Sequence, residues 1–190
     1  MLNNITNRKA ISSIILAPTR ELAIQVHDEL VKLAKYEKLN VVAVYGGAPI
    51  HNQIRDIKRA NIVVGTPGRV LDHIRRGTLP LDSVEFLVLD EADEMLNMGF
   101  IDDMEEIMKS IPEERQTLLF SATMPAQIKK LTKKYLKEDS VHIVIARKEL
   151  TGSTITQNFF EVNNSERFET LCRLIDFDNP SAGIIFCKTK

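Results

Sequence analysis

Short apolar runs alternate with longer amphipathic stretches along most of this chain, and this alternation constrains the fold more than any other feature. The runs are rich in β-branched residues and apolar nearly throughout, as strands covered on both faces should be. Strands separated by helix-length stretches predict an α/β fold with a mainly parallel sheet. The predicted strands are Ser13–Ala17, Val41–Tyr45, Ile62–Gly65, Phe86–Asp90, Thr117–Ser121 and Val141–Ala146.

The stretches between these strands carry helix signals. Thr66 followed by Pro67 is typical of an N-cap with proline at the first helical position, and Gly77 is typical of a helix end. Apolar residues spaced three and four apart predict the buried face of each helix. These faces comprise Leu22, Val26, Leu30 and Leu33; Val70, Leu71 and Ile74; Met104, Ile107, Met108 and Ile111; and Ile128, Leu131 and Tyr135.

The pattern loosens near Thr151-Gly152-Ser153, and we interpret residues 149–154 as a linker, with a loop inside one domain as the alternative. Residues 1–148 then form a first domain, and residues 155–190 begin a second one that is too short to be complete. The second part is predicted to contain a strand at Gln157–Val162, a helix at Glu166–Phe177 and a strand at Gly183–Cys187.

Composition narrows the class of protein. A net charge of −1 over 190 residues argues against gripping nucleic acid by bulk positive charge, so such binding would need individually placed residues. No run approaches the ~20 apolar residues of a membrane helix, and the N-terminus lacks a secretory pattern, so no membrane association is expected. Two cysteines, Cys172 and Cys187, exclude a disulfide framework and favour a reducing, cytoplasmic setting.

Five strands in succession are followed by small, hydroxylated or charged residues. Ligands of open parallel sheets bind outside the carboxyl ends of the strands, so function is predicted on one edge of this sheet. The five segments are Pro18-Thr19-Arg20-Glu21, Gly46-Gly47, Thr66-Pro67-Gly68-Arg69, Asp90-Glu91-Ala92-Asp93 and Ser121-Ala122-Thr123.

The pair Asp90-Glu91 follows an apolar strand, which is the Walker B arrangement. In that arrangement the aspartate holds Mg²⁺ on the phosphates of a nucleotide, and the adjacent glutamate can take a proton from an attacking water. An acidic helix start is the alternative, since carboxylates favour that end of the helix dipole. The hydroxyls of Ser121 and Thr123 are predicted to hydrogen-bond Asp93, although a plain turn would use the same residues.

Thr19 and Thr66 each stand at a predicted helix start, where free N–H groups and the dipole favour phosphate. Gly47 allows close approach of the backbone to a ligand, and Arg20 and Arg69 offer charge-assisted contacts. Together these residues can follow a nucleic-acid backbone without reading bases. Ordinary caps, turns and surface arginines are the alternative for each residue taken alone.

In order and spacing, these motifs resemble those of DEAD-box ATP-dependent RNA helicases of the bacterial, cold-shock type. The resemblance covers essentially the whole chain, from Ala17-Pro18-Thr19-Arg20-Glu21-Leu22-Ala23 with Gln25 to Gly183-Ile184-Ile185-Phe186-Cys187, which is similar to the first motif of the family's second domain. It implies a RecA-like, mainly parallel sheet with helices on both faces, followed by the start of a second RecA-like domain. It also implies local separation of RNA strands driven by ATP hydrolysis.

The resemblance also implies a role for each motif residue. Asp90 would hold Mg²⁺, and Glu91 would orient or deprotonate water. Asp93, Ser121 and Thr123 would couple hydrolysis to RNA. The RNA phosphates and sugars would be contacted, largely independently of base sequence and with strong salt dependence, by Pro18, Thr19, Arg20, Gly46, Gly47, Thr66, Pro67, Gly68 and Arg69.

The chain departs from the family pattern in what it does not contain. It has no G-x-x-x-x-G-K-[ST] phosphate loop, no upstream glutamine motif and no later second-domain motifs with their arginine finger. We therefore expect an internal fragment that is inactive alone, whose sheet lacks the phosphate-loop strand and has two additional open edges. The alternatives are a non-catalytic module that docks RNA or protein and a DNA-directed relative.

Overall fold

A computed structural model describes residues 1–6, 8, 10–145, 156 and 158–187. It divides the chain into two compact units, Met1–Val141 and His142–Lys190. The predicted linker at residues 149–154 lies outside the described residues, so the predicted domain boundary stays a prediction.

The first unit is built on a five-stranded, entirely parallel sheet with the strand order β2-β3-β1-β4-β5. In the central register, Leu16 of β1 lies opposite Gly65 of β3 on one side and Leu89 of β4 on the other. The strands are β1 Ser13–Leu16, β2 Val41–Val44, β3 Ile62–Gly65, β4 Phe86–Leu89 and β5 Gln116–Leu119.

Six α-helices connect and follow these strands. They are α1 Arg20–Ala34, α2 Ile50–Ile57, α3 Pro67–Arg75, α4 Ala92–Asn97, α5 Ile101–Lys109 and α6 Ala126–Tyr135. Two short 3₁₀ helices, Leu2–Asn4 and Lys35–Glu37, complete the regular structure described in this unit. None of the helices in the described part of the chain is long and apolar enough to cross a membrane.

Side chains alternate between the two faces of the sheet, as the period of a strand requires. Ile14 and Leu16 of β1 belong to a large core shared with α2 to α6, whereas Ile15 and Ala17 belong to a smaller core shared with α1 and the N-terminal segment. The parallel sheet with helices on both faces confirms the predicted fold class. The expectation of two additional open edges is wrong for the described residues, because the five strands form one continuous sheet.

The apolar stripes predicted for four helices are largely confirmed, with one exception on α1. Leu33 was placed on the buried stripe, but its side chain is 62% exposed. Ala23 and Ala34 are the buried residues of α1, and Leu22, Val26 and Leu30 pack partly against the smaller core. The face of α1 that meets the sheet therefore passes through Ala34 and turns Leu33 towards solvent.

Three of the predicted strands are not strands in the structure. Residues 141–145, 158–162 and 183–187 have no regular secondary structure, and Ala146 and Gln157 lie outside the described residues. The segments carry β-branched and aromatic side chains that are strongly exposed, among them Ile145 and Phe186. A strand is stabilised by hydrogen bonds to a neighbour, and the described residues supply no neighbour to any of these segments.

The second unit contains one described helix, α7, at Arg167–Asp178. It agrees within a residue with the predicted helix at Glu166–Phe177. Its C-terminus is closed by Asn179, whose backbone has φ 41° and ψ 55°. Asparagine tolerates this left-handed conformation better than most residues do, and it is a common helix terminator.

Candidate functional site

The carboxyl ends of the five parallel strands lie on one edge of the sheet, and all five predicted segments follow them. The strand order divides this edge in two. The loops after β2, β3 and β1 carry the residues predicted to contact phosphates, and the loops after β4 and β5 carry the carboxylates and the Ser121-Ala122-Thr123 segment. A backbone bond from Asp90 N to Leu16 O at 2.9 Å links the two halves.

The loop between β1 and α1 presents Thr19 and Arg20. Pro18 is buried, and Thr19 is half-buried and caps α1 by accepting a hydrogen bond from Leu22 N at 3.2 Å. Arg20 is exposed, and its guanidinium carbon lies 4.9 Å from the centroid of the Tyr45 ring. This cation–π contact holds the arginine over the loop after β2.

The loop after β2 is open to solvent at Gly46 and Gly47. Gly47 has φ +79°, a conformation that L side chains rarely adopt, and a Cβ placed there would lie 3.8 Å from Arg20 Nη1. Gly47 therefore keeps a side chain out of the space beside the arginine and leaves the backbone accessible.

Thr66 is the N-cap of α3, and Pro67 occupies the first turn, as predicted. The Thr66 side chain makes no capping hydrogen bond, however, so the boundary is right and the expected side-chain cap is absent. Pro67 is buried and Gly68 is exposed. Arg69 is half-buried, and its Nη1 donates to Ala48 O at 3.0 Å and to Gln53 Oε1 at 3.1 Å.

Asp90 directly follows β4 and is half-buried, and Glu91 is exposed. Glu91 has φ 50° and ψ 53°, so a bulky residue occupies the left-handed region just before α4. Such strain costs of order 1–3 kcal/mol and is characteristic of functional sites.

The predicted hydrogen bonds between Asp93 and the segment after β5 are confirmed. Asp93 Oδ2 accepts from Thr123 N at 2.9 Å and from Thr123 Oγ1 at 2.7 Å. Ser121 Oγ accepts from Asp93 N at 3.2 Å and donates to Thr123 O at 2.7 Å. Burial alone would raise the pKa of Asp93, but bonds from Thr123 and Ser121 outweigh it and hold that pKa below its ordinary value.

The residues present fit a single magnesium ion better than a multidentate metal centre. The described residues contain no cluster of three or more His, Cys, Asp or Glu that could hold a metal. The Asp90 carboxylate makes no ion pair or side-chain hydrogen bond within the same ranges, which leaves its oxygens for a cation. Magnesium is usually held by one or two carboxylates together with substrate phosphates and water.

The sequence did not identify three residues near this edge as functional: Tyr45, Gln53 and His73. Gln53 and His73 are buried, and each stands within an otherwise apolar helical stripe, beside Ile57 on α2 and Val70 on α3. A polar residue at a core-facing position is the signal that could have found them. Tyr45 carries no comparable signal, because an aromatic residue ending a strand is ordinary.

The fold and this edge define a RecA-like α/β domain, with an acidic pair ending a buried strand and helix starts along the same edge. A family model described as DEAD/DEAH box helicase matches residues 1–131. The chain therefore belongs to the DEAD/DEAH box helicase family.

Curated relatives and solved structures agree with this assignment. The chain is 51% identical over 181 residues to the DEAD-box ATP-dependent RNA helicase CshA of Bacillus subtilis (strain 168), covering 95% of this chain and 36% of that protein. It is 55% identical over 181 residues to the ATP-dependent RNA helicase CshA of Listeria monocytogenes, covering 95% and 35%. The chain thus spans about a third of the length of these relatives.

Among solved structures, a DEAD box protein from the hyperthermophile Methanococcus jannaschii matches with a TM-score of 0.72 and 50% identity, over 92% of this chain and 47% of that one. A hypothetical ATP-dependent RNA helicase from Sulfolobus tokodaii matches with a TM-score of 0.64 and 42% identity, over 67% and 39%.

Proposed function

We propose that this chain is part of an ATP-dependent RNA helicase, in which ATP hydrolysis at the β4–β5 half of the sheet edge drives local separation of RNA strands held at the other half. The observation that carries the proposal is the Asp90-Glu91 pair at the end of β4, beside the Asp93–Thr123 connection. The relatives described as ATP-dependent RNA helicases support the substrate and the reaction.

At the acidic half, Asp90 is the proposed ligand for Mg²⁺, since its carboxylate has no competing partner among the described residues. The bound ion would neutralise charge on the ATP phosphates. Glu91, exposed and in a left-handed backbone conformation, would accept a hydrogen bond or a proton from the attacking water. The groups that bind the ATP phosphates directly are proposed to lie elsewhere in the longer protein.

At the other half, Arg20, the Gly46-Gly47 backbone and the start of α3 are proposed to contact RNA phosphates and sugars. Arg20 is exposed and held by Tyr45, and Gly47 leaves its backbone accessible. Such contacts position an RNA strand without reading its bases. Binding is therefore expected to be largely independent of sequence and to weaken steeply as salt is raised.

The connection between Asp93, Ser121 and Thr123 is proposed to couple the two activities. Three hydrogen bonds tie Asp93 to the segment after β5, and a fourth, from Ser121 Oγ to Thr123 O, braces that segment internally. Hydrogen bonds in such a network can strengthen one another, so a change at one strand end is expected to affect the other.

The decisive experiment replaces the proposed water-orienting carboxylate in the complete protein. Glu91→Gln keeps the shape of the side chain but cannot accept a proton, so we expect RNA-stimulated phosphate release to fall by at least 10²-fold. Glu94→Gln is the matched control, because Glu94 is exposed three residues further on and its carboxylate accepts a hydrogen bond from Asn97 Nδ2. Its turnover is expected to match that of the wild type.

Unchanged turnover in Glu91→Gln would overturn the assignment of Glu91. Absence of RNA-stimulated hydrolysis in the complete wild-type protein would overturn the proposed function and favour a module that docks RNA or protein without catalysis. Unwinding of matched RNA and DNA duplexes by the wild type separates an RNA helicase from a DNA-directed relative.

A further inference from the structure

Gln53, on α2, is a buried amide joined to two of the three loops of the proposed RNA-binding half, those after β2 and β3. Its side chain is 6% exposed, so it cannot itself contact RNA. Its Nε2 donates to Tyr45 O at 3.0 Å, immediately before Gly46-Gly47. Its Oε1 accepts from Arg69 Nη1 at 3.1 Å, at the start of α3.

His73, one turn further along α3, completes the cluster. The buried His73 ring places Nε2 3.1 Å from Gln53 Oε1 and Nδ1 2.9 Å from Thr78 Oγ1. Two partners of fixed polarity set the orientation of the Gln53 amide, because a carbonyl can only accept and a guanidinium can only donate. The amide oxygen therefore faces Arg69 and His73, and a hydrogen bond from His73 to this oxygen requires a proton on Nε2.

Arg69 adds a second connection between the same two loops. The nitrogen that donates to Gln53 also donates to Ala48 O at 3.0 Å, directly after the glycine pair. The loop after β2 is thus held on both sides of Gly46-Gly47, at Tyr45 O by Gln53 and at Ala48 O by Arg69.

We propose that Gln53 is a positioning residue for RNA binding, which fixes the Gly46-Gly47 backbone relative to Thr66, Gly68 and Arg69 so that both loops meet one RNA strand. This inference rests on the proposed function. Preorganised loops bind more tightly because they lose less conformational entropy on binding. Loss of Gln53 should therefore weaken RNA binding without changing the chemistry of hydrolysis.

The test uses the complete protein with three variants. Gln53→Met keeps the approximate volume and removes all three hydrogen bonds. Gln53→Glu keeps the acceptor for Arg69 and His73 but places a carboxylate oxygen against Tyr45 O. Asn61→Leu is the matched control, because Asn61 is an equally buried amide that bonds Asn40 N at 2.9 Å and Arg8 O at 2.8 Å at the opposite edge of the sheet.

The first readout is RNA-stimulated ATP hydrolysis with a single-stranded uridine oligonucleotide. We expect Gln53→Met to raise the half-saturating RNA concentration by roughly 5- to 20-fold, on the order of one to two lost hydrogen bonds, with kcat at saturating RNA within about twofold of wild type. Gln53→Glu should also raise it, because the carboxylate cannot donate to Tyr45 O. Asn61→Leu should lower thermal stability as much as Gln53→Met does and leave the half-saturating RNA concentration unchanged.

The second readout is hydrogen exchange of the Gly46–Ala48 amides in the RNA-free protein, which is independent of catalysis. Exchange there should accelerate in Gln53→Met and stay at the wild-type rate in Asn61→Leu. Equal half-saturating RNA concentrations for wild type and both Gln53 variants would overturn the inference, as would unchanged exchange in Gln53→Met. A wild type without RNA stimulation would overturn the proposed function and the RNA role of Gln53 together, whereas the exchange result would still decide whether Gln53 holds the loop.

Discussion

Asp93 and Thr123 are joined twice through one oxygen atom. Asp93 Oδ2 accepts the backbone N–H of Thr123 at 2.9 Å and the Thr123 hydroxyl at 2.7 Å. Asp93 follows β4 and Thr123 follows β5, the neighbouring strand at the border of the sheet. This pair therefore links the segments that follow β4 and β5, beyond the last residues of the two strands.

Removal of the Thr123 hydroxyl should weaken this closure. Thr123→Val keeps the side-chain shape and the backbone bond but loses the donor, so we expect the free energy of unfolding to fall by about 1 kcal/mol. Urea denaturation followed by circular dichroism measures it. Thr123→Ser retains the hydroxyl and should stay close to wild type; equal losses in both variants would contradict a role for the hydroxyl.

Gly65 should tolerate no side chain. A Cβ at this position would lie 2.5 Å from Val44 O and 2.7 Å from Val70 Cγ2, so Gly65→Ala forces β3 away from β2 or from α3. We expect a loss of about 1–3 kcal/mol in the free energy of unfolding, or failure to fold. Gly46→Ala is the control, since a Cβ there meets nothing within 4 Å. Similar stability of the two variants would show that the strands can separate without cost.

The protein should be more stable with glycine than with alanine at position 91. Both substitutions remove the carboxylate, but only alanine keeps a Cβ in the left-handed conformation that Glu91 adopts at φ 50°. We expect Glu91→Gly to unfold with a free energy about 1 kcal/mol higher than Glu91→Ala. Both should lack RNA-stimulated hydrolysis. A less stable glycine variant would mean that the turn is not strained in the folded protein.

His73 should make stability depend on pH. Burial, and secondarily the charge of Arg69, lowers the pKa of His73 below its ordinary value of 6.5. The unfolded chain then binds the proton more readily. The contribution of neutral His73 to the free energy of unfolding is therefore complete above about pH 7.5 and is lost as the pH drops through 6.5 towards the folded pKa. The slope contributed by one group is at most about 1.4 kcal/mol per pH unit.

The measurement for His73 is the melting temperature between pH 5.5 and 8 for wild type and His73→Gln. The variant should lose part of the decline seen in the wild type at low pH. His51→Gln changes an exposed histidine and serves as the control. A decline in His73→Gln as steep as in the wild type would show that other groups cause it.

The sequence pattern predicted the five strands of the sheet within a residue or two, because each is a short apolar run whose preference agrees with its place between helices. Segments 141–145, 158–162 and 183–187 have the same local composition and are not strands. Local preference makes a segment able to pair, but a partner must be present, and a run such as Val141–Ile145 does not reveal whether one is.

Some residues of the candidate site could be predicted from the sequence, and others could not. Residues in motifs could be found from order and spacing, and the contact between Asp93 and Thr123 could be predicted because neighbouring strand ends meet. Gln53 and His73 could not be assigned a role in this way. The partners of Gln53 lie 8 to 20 residues away along the chain, and only the folded arrangement of α2 and α3 brings the amide, guanidinium and imidazole together.

The position of β1 in the middle of the sheet has a consequence for biosynthesis. β1 is translated before its partners β3 and β4, so at about 5–20 residues per second several seconds pass before the segments that pair with it have been made. Parallel pairing between distant segments is also slow to nucleate. The stage at which this sheet is most open to misassembly is therefore the stage before β3 and β4 have been made.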